Sequence, residues 1–237
     1  MIRKMSIKKI IIIGTGGFGR EVLSTIKDCN KNKVVFQVLG FLDDNRTLVN
    51  TKIENLPVLG TTDWILSNSK IDISYVIGIG DCKSRENIIN KLKNKNIRFE
   101  TIIHPSVIKS ESVKIGEGSI IQAGCILTIN VVIGKHVHVN IKSTIGHDCV
   151  IKDFVTISPG VHVNGGISIG KGSFIGSGVI MKDEIKIGNE SVIGAGTVLI
   201  NDVPESSLVV GNPGKIKKKD KNKKPFNTTG YNLKKWM

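Results

Sequence analysis

From Ile115 onward every sixth residue is aliphatic: Ile115, Ile121, Leu127, Ile133, Val139, Ile145, Ile151, Ile157, Val163, Ile169, Ile175, Met181, Ile187, Ile193 and Leu199. These fifteen hexads run without a break. A fixed six-residue period is the mark of a parallel β-helix, in which each hexad is one short flat strand and a corner. Three hexads close one triangular coil, so the run predicts five coils and a prism roughly 24 Å tall at a strand spacing of ~4.8 Å. Only 5% of residues are aromatic although 40% are hydrophobic, which fits an interior of stacked aliphatic side chains. Four residues after the aliphatic position stands a small or β-branched one, such as Ser119, Cys125, Ser143, Cys149 and Thr197, expected to face inward and let the chain turn. Solenoids need capping, and the preceding segment is expected to sit on one end of the prism.

That segment follows a different grammar. "KKIIIIG", "VVFQVLGFLDD", "ISYVIGIG" and "RFETIIH" read as strands, separated by helical patterns in "FGREVLSTIKDC", "TDWILSNS" and "KSRENIINKLKNK". Strands alternating with helices predict a parallel α/β sheet. The expected division is 1–104 for a Rossmann-like half domain, 105–214 for the β-helix and 215–237 for a basic tail. Gly14, Gly16 and Gly19 satisfy G-x-G-x-x-G at a strand-to-helix turn, a phosphate cradle. Asp43 follows the second strand, where a ribose-binding acid belongs. With no second mononucleotide half, the domain argues against a nicotinamide dinucleotide.

The formal charge is +14, but residues 215–237 hold nine lysines and one aspartate, so +8 of it sits in the tail. Such a run reads as a solvated tail rather than a nucleic-acid site, because no aromatic ladder accompanies it. The apolar run near the start is too short to span a bilayer, and no secretory pattern precedes it. Cys29, Cys82, Cys125 and Cys149 show no C-x-x-C spacing and read as reduced thiols. A cytoplasmic protein without stable membrane insertion is expected. No Cys/His cluster has metal-ligand spacing, so no metal is expected.

The hexad register separates packing from chemistry. In Ile145-Gly146-His147-Asp148-Cys149-Val150 the inward positions are Ile145 and Cys149, and His147 occupies an outward slot. An outward histidine beside a carboxylate is either an ordinary surface pair or a general base whose ring the acid orients. Such a pair suits acyl transfer from a thioester, with a backbone N–H, near Gly165-Gly166, for the oxyanion.

"GTGGFG", "FLDDN", "IHPS", "GHDC" and "VVGNPGK", in this order over residues 7 to about 216, resemble one family. It comprises the bacillosamine-type and perosamine-type N-acetyltransferases and the sialic acid O-acetyltransferases. The resemblance implies a left-handed β-helix, although general crossover rules favour the right-handed form. It implies a homotrimer with active sites between subunits, acetyl-CoA as co-substrate, and a nucleotide-linked amino sugar as acceptor in surface glycan biosynthesis. It makes His147 the catalytic base and Asp148 its acidic neighbour. It places Asn140, Thr156, Gly165, Ser177, Ala195 and Lys215 toward the cofactor, with the Gly165 backbone at the acetyl carbonyl. Gly16, Gly17, Phe18, Asp43, Asp44 and Gly80 are placed toward the sugar nucleotide. Two positions depart from the family: many relatives carry histidine where this chain has Phe18 and Thr156.

N-acetylation of a 4-amino sugar is the leading expectation. Two alternatives stay open: O-acetylation, as in the sialic acid branch, and a non-catalytic trimeric scaffold binding polyanions through its lysine tail. A nicotinamide-dependent oxidoreductase lacks a catalytic domain to match.

Overall fold

The computed structural model describes residues 7–68, 72–93 and 95–217, so most of the basic tail lies outside the described residues. The first part is a six-stranded sheet of order β3-β4-β2-β1-β5-β6. Its elements are β1 (Lys8–Ile13), α1 (Gly17–Cys29), β2 (Phe36–Leu42), β3 (Lys52–Ile53), β4 (Leu56–Gly60), α2 (Asp63–Ser67), β5 (Ser74–Ile77), α3 (Cys82–Leu92) and β6 (Arg98–Phe99). All pairings are parallel except the β3–β4 hairpin. Alternate residues of β1 face opposite sides of the sheet, as strand geometry requires. Ile10 and Ile12 pack with Val22 and Ile26 of α1, whereas Ile11 and Ile13 pack with Ile88 and Leu92 of α3. Strands β3 and β4 are absent from the sequence reading, because Pro57 within "LPVLG" lacks an amide donor and demotes the run.

The β-helix has three faces, each a stack of two-residue strands paired at a spacing of 18 residues, as in Ile121↔Val139 and Val139↔Ile157. The first face runs from Ile102–Ile103 to Leu208–Val210, the second from Ile108–Lys109 to Val198–Leu199, and the third from Lys114–Ile115 to Lys186–Ile187. The solenoid therefore begins two strands earlier than the aliphatic run. Lys109 occupies the inward slot beside Leu127 and is exposed, which breaks the pattern before Ile115. The single strand expected over "RFETIIH" is two: β6 ends the α/β sheet, and Ile102–Ile103 opens the β-helix.

The interior is as the period requires, with Ile121, Val139, Ile145, Ile157 and Ile175 fully buried. Each such side chain contributes about 1.5–3 kcal/mol relative to leaving it in water. The small residues also face inward, and their polar atoms reach a corner carbonyl 15 residues on: Ser119 Oγ donates to Gly134 O (2.8 Å) and Cys149 Sγ to Asn164 O (2.9 Å). The turn itself falls one residue earlier than the sequence reading placed it. Every sixth residue from Gly118 to Gly196 has φ between 53° and 72°, and Asn130 and Asp148 are among them.

The α/β domain lies along the first face rather than on the end of the prism. The outward residues Ile102, Ile120 and His138 of that face are 0% exposed, because α1 and the start of α3 cover them. The outward residues of the other two faces, Ile126, Ile180, Val132 and Val150, stay exposed.

Candidate active site

Residues 146–149 form the corner between the second and third faces, the corner opposite the face that carries the α/β domain. The left-handed conformation of Asp148 (φ 57°) brings its carboxylate beside the preceding ring. His147 Nδ1 and Asp148 Oδ2 lie 2.9 Å apart, and Asn130 Nδ2 donates to Asp148 Oδ1 at 3.0 Å. The hydrogen bonds from Asn130 and His147 hold the Asp148 carboxyl below the usual carboxylate range. With Nδ1 engaged by an ionised carboxylate, the tautomer that leaves Nε2 as the proton acceptor is favoured. Asn130 escaped the sequence reading; its signal is the coil period, since it stands 18 residues before Asp148.

The ring lies over Gly165, one coil on. A Cβ at that glycine would stand 2.5 Å from both Cε1 and Nε2 of His147, so only glycine leaves room for the imidazole. The Gly165 N–H, expected to face an acetyl carbonyl, donates instead to Asp183 Oδ1 at 2.9 Å. The same staple recurs where Lys135 N donates to Asp153 and Lys171 N to Asn189, so it is a property of the coil.

Asn140, Ser177 and Ala195 belong to a different corner, between the first and second faces. Ser177 and Ala195 are exposed and stacked one coil apart, with Gly196 N donating to Ser177 O at 2.8 Å. One chain therefore does not bring them to His147. Lys215 is exposed on the final antiparallel strand, beside Val210. Thr156 is 2% exposed, beneath the α/β domain, with its hydroxyl donating to Gly80 O at 2.8 Å. A contact between Thr156 and a cofactor is thus closed off by the domain itself.

A second candidate site lies at the carboxyl ends of β1, β2 and β5, where open α/β sheets bind ligands. A cavity of about 320 Å³ is lined there by Gly14, Asp43, Asp44, Ile79, Ser84 and Asn87, among others. Asp43 Oδ2 accepts from Thr15 N (3.0 Å) and Thr15 Oγ1 (2.6 Å). Burial raises the Asp43 carboxyl, but the bonds from Thr15 and Asn45 outweigh it and hold it below its usual range. Asp44 Oδ1 accepts from Thr62 N at 2.8 Å. The glycines divide by role. A Cβ at Gly14 or Gly19 would strike backbone at 2.9 Å or less, whereas one at Gly16, Gly17 or Gly80 would meet nothing within 4 Å. The latter three leave open backbone for a ligand. The Phe18 ring turns the other way and packs on His138 at 4.8 Å, so it serves the domain junction. Ser84 and Asn87 were missed; they share the exposed side of the first turns of α3.

Among the described residues no group of three or more His, Cys, Asp or Glu could hold a metal ion, and no helix is long and apolar enough to cross a membrane. Residues 9–92 match the PglD N-terminal domain family, and residues 106–128 and 166–200 match the hexapeptide repeat of succinyl-transferase. The chain is 31% identical over 172 residues to GDP-perosamine N-acetyltransferase of Escherichia coli O157:H7, covering 72% of this chain and 76% of that protein. The acetyltransferase domain of PglB from Neisseria gonorrhoeae, solved with acetyl coenzyme A, superposes with a TM-score of 0.80 at 30% identity, over 90% of this chain and 100% of that one. A mutant of perosamine N-acetyltransferase from Caulobacter crescentus, solved with CoA and GDP-perosamine, gives a TM-score of 0.80 at 28% identity, over 90% and 98% of the two chains. With an outward His-Asp pair on a hexapeptide prism and a PglD-type α/β domain along its side, the chain belongs to the hexapeptide-repeat nucleotide-sugar N-acetyltransferases, of left-handed β-helix fold.

Proposed function

We propose that this chain transfers the acetyl group of acetyl-CoA to the 4-amino group of a nucleotide-linked deoxy sugar, in the cytoplasm, for a surface glycan. The observation that carries the reading is the relay Asn130–Asp148–His147, which leaves one imidazole nitrogen free over Gly165. The sugar nitrogen attacks the thioester carbon, and a C–N bond forms while His147 Nε2 takes the ammonium proton. Asp148 stabilises the imidazolium. The oxyanion takes the Gly165 N–H once Asp183 releases it. Collapse breaks the C–S bond, and the CoA thiolate leaves with the proton from His147.

The site is shared between subunits of a trimer. Two arrangements support this: His147 sits at the corner opposite its own nucleotide domain, and the two uncovered faces expose Ile126, Val132, Val150 and Ile180. The bound nucleotide lies in the cavity beside Asp43 and Asp44, and the pantetheine arm runs along the corner of Ser177 and Ala195.

A thiol-release assay with acetyl-CoA and UDP-, GDP- and dTDP-linked 4-amino sugars tests the reading, with wild type beside His147→Ala. Turnover on one donor, lost about a thousandfold in the variant, is expected for a general base. Turnover that survives the substitution removes His147 from the role.

A further inference from the structure

Arg85 is 0% exposed, at the base of α3. Its position explains the burial: it stands in the inward stripe of α3 between Cys82 and Ile88. Its guanidinium is satisfied almost wholly by main-chain carbonyls. Nη1 donates to Ile79 O and Gly80 O, both at 2.9 Å, and to Thr156 Oγ1 at 3.0 Å. Nη2 donates to Phe154 O (2.7 Å) and Val155 O (3.2 Å), and Nε to His136 O (3.2 Å). Thr156 Oγ1 passes the contact on by donating to Gly80 O at 2.8 Å.

These acceptors come from two units. Ile79 and Gly80 form the loop after β5, and Ile79 lines the 320 Å³ cavity. His136, Phe154 and Val155 belong to two successive corners of the β-helix, on the edge of its first face. A carboxylate partner could rotate with its side chain, but a carbonyl moves only with its backbone. A planar, five-donor fork among fixed carbonyls therefore sets the distance between two main chains. It does so at a cost, since taking a cation out of water is expensive; burial pushes the Arg85 guanidinium down from its usual range, and the nearby Asp81 charge offsets part of that. An apolar residue would serve packing alone.

We infer that Arg85 is a positioning residue for the transfer: it locks the wall of the sugar-nucleotide cavity to the prism, so that the sugar's amino group arrives at the acetyl-transfer corner in register. This rests on the function proposed above. Ile79 lines the cavity, so a wall held at a fixed distance from the prism keeps the contacts that hold the sugar nucleotide, and a loosened wall gives up part of that binding.

The test uses the full chain and the variants Arg85→Lys, Arg85→Met, Thr156→Val and Thr156→Ser, each with its melting temperature. Lysine keeps the charge but offers three donors from one point. Thr156→Val removes the hydroxyl bridge to Gly80 and is the milder change should the Arg85 variants not fold; Thr156→Ser keeps the hydroxyl and serves as the rescue. Expected is a rise of about tenfold in KM for the sugar nucleotide in Arg85→Lys and Thr156→Val. KM for acetyl-CoA should stay within about twofold, with Thr156→Ser near wild type. Loss of folded enzyme alone would lower kcat and leave both KM values where they were. Unchanged KM values, or an equal rise in both, overturn the proposal and leave the acetyltransferase reading standing. If wild type turns over no amino-sugar nucleotide, that reading fails, and calorimetric affinity for UDP and GDP replaces KM. A tenfold weakening in the same variants upholds the role of Arg85 at the cavity, and no nucleotide binding by wild type overturns it.

Discussion

His147 and Gly165 are a matched pair one coil apart: the imidazole edge occupies the space in which any Cβ at residue 165 would lie, 2.5 Å from Nε2. Gly165→Ala must therefore turn the ring away from Asp148 or push the coil outward. The backbone bond from Gly166 N to His147 O (2.8 Å) resists the second, so the ring moves. The variant is expected to lose about a hundredfold in kcat, while KM for both substrates changes little. Steady-state kinetics beside a thermal melt check it, and a wild-type kcat in Gly165→Ala would refute the pairing.

Asp148 combines two demands that a substitution can separate. Its carboxylate orients His147, and its backbone holds a left-handed turn at φ 57°, which glycine adopts more easily. Asp148→Gly is expected to leave stability unchanged or raise it by about 1 kcal/mol at most. The same change should lower kcat by roughly tenfold to a hundredfold. Asn130→Ala, which frees the far oxygen of Asp148, should lower kcat by a smaller factor, severalfold. A fall in both stability and activity for Asp148→Gly would mean that the carboxylate mainly supports the corner.

Acid should loosen the junction between the two units. Burial pushes His136 down to about 4 and also lowers His138, and both rings lie between the α/β domain and the first face. In the unfolded chain each titrates near 6.5. Above that value both states hold neutral rings and the groups contribute nothing to pH dependence. Between about 6.5 and 4 the unfolded chain binds more protons, so stability falls as pH falls. For His136 the full loss is on the order of 3 kcal/mol at ~1.4 kcal/mol per pH unit. Phe154 holds the equivalent corner slot one coil on, at φ 61°, so His136→Phe should fold and flatten this slope. Urea titrations from pH 8 to 4.5 read the difference; equal slopes in both proteins would place the acid sensitivity elsewhere.

The same junction marks where sequence reasoning ran out. The prism was legible because its spacing is local: Ile145 and Cys149 point inward from positions that the period alone assigns. His147 and Asp148 were legible for that reason, as outward residues with no structural duty to face in. Arg85 was not, since the helical pattern of "KSRENIINKLKNK" gives no reason to single out an arginine whose carbonyl partners lie up to 70 residues away in the chain. Thr156 and Phe18 took their expected roles from a family whose histidines they replace, and both turned out to pack at the junction. The period also hid Asn130 and Asp183, which act on the residue one coil away rather than on their neighbours in sequence.

His147 lies at the corner opposite the face that carries the α/β domain, and so away from the cavity beside Asp43 in its own chain. The proposed shared site therefore predicts that two inactive variants restore each other. His147→Ala keeps an intact cavity, and Asp43→Ala, which removes the carboxylate bonded to Thr15, keeps an intact His147. In a trimer with each site built from the cavity of one protomer and the corner of the next, random mixing makes about one site in four wild type on both sides. Co-expression of the two variants with different tags should therefore recover on the order of 25% of wild-type kcat in the unselected mixture, and about one third after tandem purification, which discards the unmixed trimers. Either variant alone stays inactive. If both halves of the site came from one chain, every mixed site would carry a defect and activity would stay at background. Val150→Asp supplies the companion control, since a charge on that exposed apolar face should split the trimer and abolish the recovery. Sedimentation would read a monomer mass for that variant, and a trimer mass would move the interface away from the third face.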